Sequence, residues 1–208
     1  MMKECVLAMT LALGIGLSGA AVSALPSFNH KIYNTGEQVA EKPRVMRDFI
    51  EMHNARGFDM PYFMTLDGKK VPMKDLENRL TMLFVWATWN EPTKRLLPQV
   101  IDLQKTFNKE GSKVKILGVS VDKKAKRVTK FLKKNGFEAF ETLQDPTHLM
   151  KGAAPLDVIP TIFALDGKGN LVGFVRGYSL DWSDPAIVPY LEKLGEKYAH
   201  PKTDVAPK

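Results

Sequence analysis

The sequence predicts an α/β fold: a central mixed sheet flanked by helices, preceded by an N-terminal extension. Three observations predict it. The apolar runs LTMLFVW at 80–86 and VKILGVSV at 114–121 have the length and composition of strands buried on both faces. Segments of helical spacing alternate with such runs through short connections, the pattern of a layered sheet. Two turn signals, Asp67-Gly68 and Asp166-Gly167-Lys168-Gly169, sit between β-forming residues and mark hairpins, the second of which makes the sheet mixed. A chain of 208 residues, 44% hydrophobic and 25% charged, has the size for one moderate domain plus an extension.

In chain order, Lys3 and Glu4 head an apolar run from Cys5 to Leu17, with small residues after it, the layout of a secretory signal. Val22, Ser23 and Ala24 place cleavage after Ala24. The alternative is an uncleaved signal that anchors the chain in the inner membrane. Against it, the run is broken by Thr10, Gly14, Gly16, Ser18 and Gly19 and falls short of the roughly 20 apolar residues that a spanning helix needs. The expectation is therefore a periplasmic protein. Its parts are a signal peptide at 1–24, an N-terminal extension at 25–57, the folded domain at 58–199 and a tail at 200–208. The only cysteine, Cys5, lies within the signal, so the mature chain is expected to hold no thiol although export leads to where disulfides form.

The extension is polar, with a helix expected over 41–55, where Val45, Phe49, Ile50 and His53 recur at helical spacing. Residues 60–73 read as a hairpin around Asp67-Gly68. After the strand at 80–86 comes a helix over 91–108 that turns Leu96, Leu97, Val100, Leu103, Gln104 and Phe107 inward, with a kink at Pro98. A strand at 114–121 leads to a basic amphipathic helix at 123–134, stopped by Asn135-Gly136. A short strand within 137–143, a helical turn after Pro146, a hairpin of 161–165 with 170–177, and a last helix over 185–198 complete the chain.

Several local patterns, in this order, resemble the thioredoxin superfamily, and within it the extracytoplasmic redoxin group typified by TlpA and ResA. WNEPT, from Trp89 to Thr93, resembles that group's W-C-E-P-C turn; GVSVD at 118–122 resembles the strand end before its inserted helix; VIPTIFALDGKGNLVGFVRG resembles the segment carrying its cis proline, here Pro160 after Ile159; and GYSLDW at 177–182 resembles the approach to its last helix. The resemblance covers about residue 60 to the final helix and implies a thioredoxin-like fold. It also implies a thiol-disulfide oxidoreductase, in which a thiolate at a helix N-terminus attacks a disulfide and a second thiol resolves the product. Here Asn90 and Thr93 occupy the two cysteine positions, and Phe84 stands where thioredoxins often keep a buried acid. Neither replacement carries electrons.

Each candidate residue also has a plain structural explanation. Asn90, Glu91 and Pro92 suit a helix N-terminus as cap, dipole partner and first-turn proline, and a threonine nucleophile at Thr93 would need an adjacent base. Trp86 fits the core. Trp89, by the resemblance, lies against bound partners, and the backbone at Ile159 and Pro160 would pair with an extended segment. The cations Lys123, Lys124, Lys126, Arg127, Lys130, Lys133 and Lys134 form either a solvated helix face or a dock for an anionic membrane surface. His30, His53, His148 and His200 are scattered, so neither a metal nor another cofactor is expected. Tyr178, Asp181 and Trp182 read as packing and capping residues. The net charge of +7 favours acidic partners. Nucleic acid is excluded by the export signal and by the lack of aromatic interleaving.

Two functions remain open. The first is a non-redox binding, adaptor or chaperone-like module that holds an extracytoplasmic protein client or complex in a groove of Trp89, Asn90, Glu91, Pro92, Thr93, Ile159 and Pro160. The second is an oxidoreductase of disulfide reduction or cytochrome c maturation that borrows both sulfurs from a partner.

Overall fold

A computed structural model describes residues 31–154, 156–176 and 181–200. The expected signal peptide, Tyr178 and nearly all of the tail lie outside the described residues. The strands are β1 Lys31–Asn34, β2 Ile50–Arg56, β3 Tyr62–Met64, β4 Lys70–Pro72, β5 Leu80–Trp86, β6 Val114–Ser120, β7 Thr142–Gln144, β8 Thr161–Leu165 and β9 Leu171–Arg176; the helices are α1 Glu91–Phe107, α2 Ala125–Asn135, α3 Met150–Ala153 and α4 Ile187–Tyr198. The strands join one sheet in the order β1-β2-β9-β8-β5-β6-β7-β3-β4. Pairing is parallel for β5 with β6 and β6 with β7, and antiparallel for the others. The sheet is thus mixed, as the second hairpin predicts.

The core follows from the two-residue period of a strand. On β5, Leu80, Met82, Phe84 and Trp86 enter one apolar cluster with Leu96, Leu97 and Val100 of α1, Val128 and Leu132 of α2, and Ile187, Tyr190 and Leu191 of α4. Leu83 and Val85 enter a second cluster with Leu117, Val119, Phe163 and Met150. The helices are therefore unequally shared: the three long ones pack with the first set, and the four-residue α3 with the second. Gly136, in the left-handed region at φ 70°, closes α2 where Asn135-Gly136 predicts its end.

Residues 41–55 do not form the helix that their spacing predicts. A 3-10 turn occupies Arg44–Met46, and β2 then pairs with β9 through Ile50↔Phe174 and Glu51↔Gly173, while β1 lines its outer edge. Two features outside the local pattern decide this. Gly173 admits the chain, because a Cβ there would meet Phe49 Cζ at 2.6 Å and the Ile50 carbonyl oxygen at 2.8 Å. Glu51 is buried and held by Val39 N (2.8 Å), Lys197 Nζ (2.6 Å) and Tyr198 OH (2.7 Å), partners that no short window of sequence displays. The extension thus packs on the domain as two added strands. A smaller displacement affects β7, which forms at the end of the expected 137–143 segment; Phe140 instead packs edge-on against Phe84 and Trp86.

Candidate functional site

β5 delivers the chain to a turn at Ala87–Asn90 that opens α1. Burial on both faces drives β5 forward to Trp86, which is fully enclosed and donates from its indole nitrogen to Thr142 Oγ1 at 3.0 Å. The next residues are pinned by Asp122, a buried carboxylate at the end of β6. Its oxygens accept from Thr88 N (2.8 Å), Thr88 Oγ1 (2.7 Å) and Ser120 Oγ (3.0 Å). Three such bonds satisfy a carboxylate inside a protein, and they fix the height at which Trp89 leaves the sheet. Trp89 emerges 58% exposed, whereas Trp86 and Trp182 are 0% and 4% exposed.

Asn90 then caps α1. Its Oδ1 accepts from Thr93 N at 3.0 Å and from Thr93 Oγ1 at 2.9 Å, and its Nδ2 donates to the Ile159 carbonyl at 2.9 Å. Glu91 lies in the first turn beside Lys94, and Pro92 takes an early helix position where it removes no internal bond. The Ile159-Pro160 peptide is cis, and the Ile159 carbonyl lies against the turn. Asn90 and Thr93 are therefore joined to each other, and Asn90 to the cis-proline loop, by neutral hydrogen bonds. Thr93 is completely buried, so a partner does not touch it directly. The group facing the Thr93 hydroxyl is an amide oxygen, which is no base.

The structure places the turn of Trp89, Asn90, Glu91, Pro92 and Thr93 beside the Ile159-Pro160 loop through the bond from Asn90 to the Ile159 carbonyl. It divides the basic residues of 123–134. Lys123, Lys124 and Arg127 line a cleft of about 670 Å³ with Trp89, while Lys126, Lys130, Lys133 and Lys134 are exposed but do not line it. Three further residues at this cleft, Val121, Asp122 and His148, escape sequence reasoning as site residues. The signal for Asp122 was an acid directly following an apolar strand. His148 gave none: it follows a turn in which Asp145 accepts from Leu149 N (3.0 Å) and Met150 N (2.9 Å), and it adopts φ 58°. Near the last helix, Trp182 is buried as expected of a packing residue, whereas Asp181 accepts from Ser183 N at 3.1 Å in the preceding turn and does not cap α4, whose N-cap is Ala186 without a side-chain bond.

Residues 78–171 match the family profile described as thioredoxin-like. The chain is 30% identical over 125 residues to the thiol-disulfide oxidoreductase ResA of Bacillus subtilis strain 168, covering 59% of this chain and 68% of that one. It is 26% identical over 140 residues to ResA of Bacillus thuringiensis strain Al Hakam, covering 66% and 78%. Among solved structures, a secreted thiol-disulfide isomerase from Corynebacterium glutamicum superposes with a TM-score of 0.56 at 20% identity, over 76% of this chain and 99% of that one. At that identity the structural likeness speaks for the fold alone.

Proposed function

Because the chain belongs to the thioredoxin-like family of ResA-type proteins yet carries an amide and a hydroxyl where its relatives' names imply a sulfur pair, we propose that it is a binding or adaptor module without thiol-disulfide chemistry of its own. The observation that carries this reading is the closed set of bonds from Asn90 to Thr93 and to the Ile159 carbonyl. A thiolate at a helix N-terminus attacks because it is charged and exposed. Asn90 is uncharged, and its acceptor oxygen already takes two hydrogen bonds. What the turn retains is shape: an exposed tryptophan beside a cis-proline loop. Exposed aromatics of this kind are the usual anchors of protein interfaces.

Export to the periplasm is part of the same proposal, supported by the signal-like first residues. Among the described residues no helix is long and apolar enough to cross a membrane. The test is crosslinking followed by capture from the native envelope, comparing wild type with a Trp89→Ala/Ile159→Arg variant. A partner held by wild type and lost in the variant supports the reading; capture unchanged by the variant removes the groove from the function.

A further inference from the structure

We propose that the cleft between Trp89 and the start of α2 receives an acidic segment of the partner protein, its carboxylates meeting Lys123, Lys124 and Arg127 and a neighbouring apolar side chain lying on the Trp89 ring. This assignment rests on the binding reading of the turn and adds the chemistry of what is bound.

The first ground is an imbalance of charge. Several surface lysines elsewhere find carboxylates: Lys94 pairs with Glu91, Lys105 with Asp102, Lys113 with Glu196, Lys115 with Glu141 and Lys193 with Glu41. Among the described residues, Lys123, Lys124 and Arg127 have no carboxylate within ion-pair distance, and α2 contains no acidic residue. The one acid that lines the cleft, Asp122, is buried, and its oxygens are taken by Thr88 and Ser120. Three cations converging on one concavity repel one another, and a bound anion relieves that repulsion.

The second ground is shape. The cleft of about 670 Å³ is lined by Trp89, Lys123, Lys124, Arg127 and His148, so it offers an aromatic ring and a set of basic side chains within one concave site. His148 holds a left-handed conformation that non-glycine residues adopt sparingly, a backbone feature of the sort that gathers at binding sites. The start of α2 adds a weaker contribution, since it has no side-chain cap and no acid in its first turn. A concave basic site favours a peptide over a membrane. A flat anionic surface reaches the exposed Lys126, Lys130, Lys133 and Lys134, whereas a side chain can enter the cleft.

The test uses the tryptophan itself. Trp86 and Trp182 are buried and Trp89 is exposed, so a shift in emission on binding reports this cleft. The purified protein is titrated with a synthetic peptide of glutamates around one leucine, with the same peptide carrying glutamines, and with phosphatidylglycerol vesicles. The proposal expects a saturable blue shift with the glutamate peptide, none with the glutamine peptide, and an affinity that falls as salt rises. Lys124→Gln/Arg127→Gln should weaken binding about tenfold, and Lys130→Gln/Lys134→Gln on the same helix about twofold or less. These substitutions are on exposed side chains, and an unchanged thermal transition verifies each fold. Equal binding of both peptides, equal loss in both variants, or a response to vesicles alone overturns the proposal. If the glutamate peptide fails while the Trp89-dependent capture persists, the acidic chemistry falls and the binding reading stands. If that capture is also absent, both fall.

Discussion

The turn beyond Trp86 and the cluster around Glu51 perform the same task at opposite ends of the sheet, and by different chemistry. At the turn, Asn90 ties α1 to the Ile159 loop with neutral groups. At the other end, Asp166 follows Leu165, which pairs with Thr81 near the start of β5. There Tyr33 donates to Asp166 at 2.7 Å, and Glu51 gathers Lys197, Tyr198 and Val39 N, so that charge buried at β2 and α4 latches the two added strands. The contrast teaches where each kind of bond can be used. Neutral capping is modest in strength and leaves a surface open beside it. A buried ion pair is intolerant of loss and belongs where nothing has to bind.

The largest effect should come from Glu51→Leu, which leaves Lys197, only 23% exposed at its side chain, facing a lost charge. The expected destabilisation is about 3–5 kcal/mol in urea unfolding; a loss no greater than that of a surface pair would break the comparison. Next, Asn90→Ala removes the cap and the bond to Ile159, and should cost about 1–2 kcal/mol while the thermal transition stays cooperative. Thr93→Val, which removes one buried hydroxyl with little change of shape, should cost about 1 kcal/mol. At the small end, Lys105→Gln should cost about 0.3–0.5 kcal/mol, because its pair with Asp102 is exposed on both sides.

Alkaline pH sharpens the same comparison. Burial, followed by the neighbouring Asp166 carboxylate, raises the Tyr33 phenol above its ordinary range, and burial followed by the Glu51 hydrogen bond raises Tyr198. Tyr190 is pushed up to about 12, again mainly by burial. A phenol whose folded pKa lies above its unfolded value holds its proton more tightly when folded. The stability it contributes is present below the unfolded pKa of about 10 and declines as pH rises beyond it. Urea midpoints should therefore fall steeply above that pH, and Tyr33→Phe/Tyr198→Phe should flatten the decline. The turn, held by an amide and a hydroxyl, should add nothing to this slope.

Legibility in the sequence divides along the same line. β5 was predicted to its ends because seven consecutive buried positions leave no other reading of LTMLFVW, and the start of α1 was readable because Asn90, Glu91 and Pro92 are local capping signals. β2 was misread as helix because the spacing of Val45, Phe49 and Ile50 is local, whereas the main reasons for a strand, Gly173 and the Glu51 partners Lys197 and Tyr198, lie more than 100 residues along the chain. In the candidate site, Trp89 and the Ile159-Pro160 loop were legible from motif order. The division of the basic residues of 123–134 into cleft-lining and outward sets was not, since it depends on how the tertiary fold brings Trp89, Lys123, Lys124, Arg127 and His148 around one cleft.

The central claim, that this turn binds and does not exchange disulfides, is tested most directly by insulin reduction with dithiothreitol as electron donor. The protein is compared with its Asn90→Cys/Thr93→Cys variant, which restores the sulfur pair at the same helix terminus. The account predicts turnover in the variant and none above the dithiothreitol background in the native protein. Turnover by the native protein would contradict it.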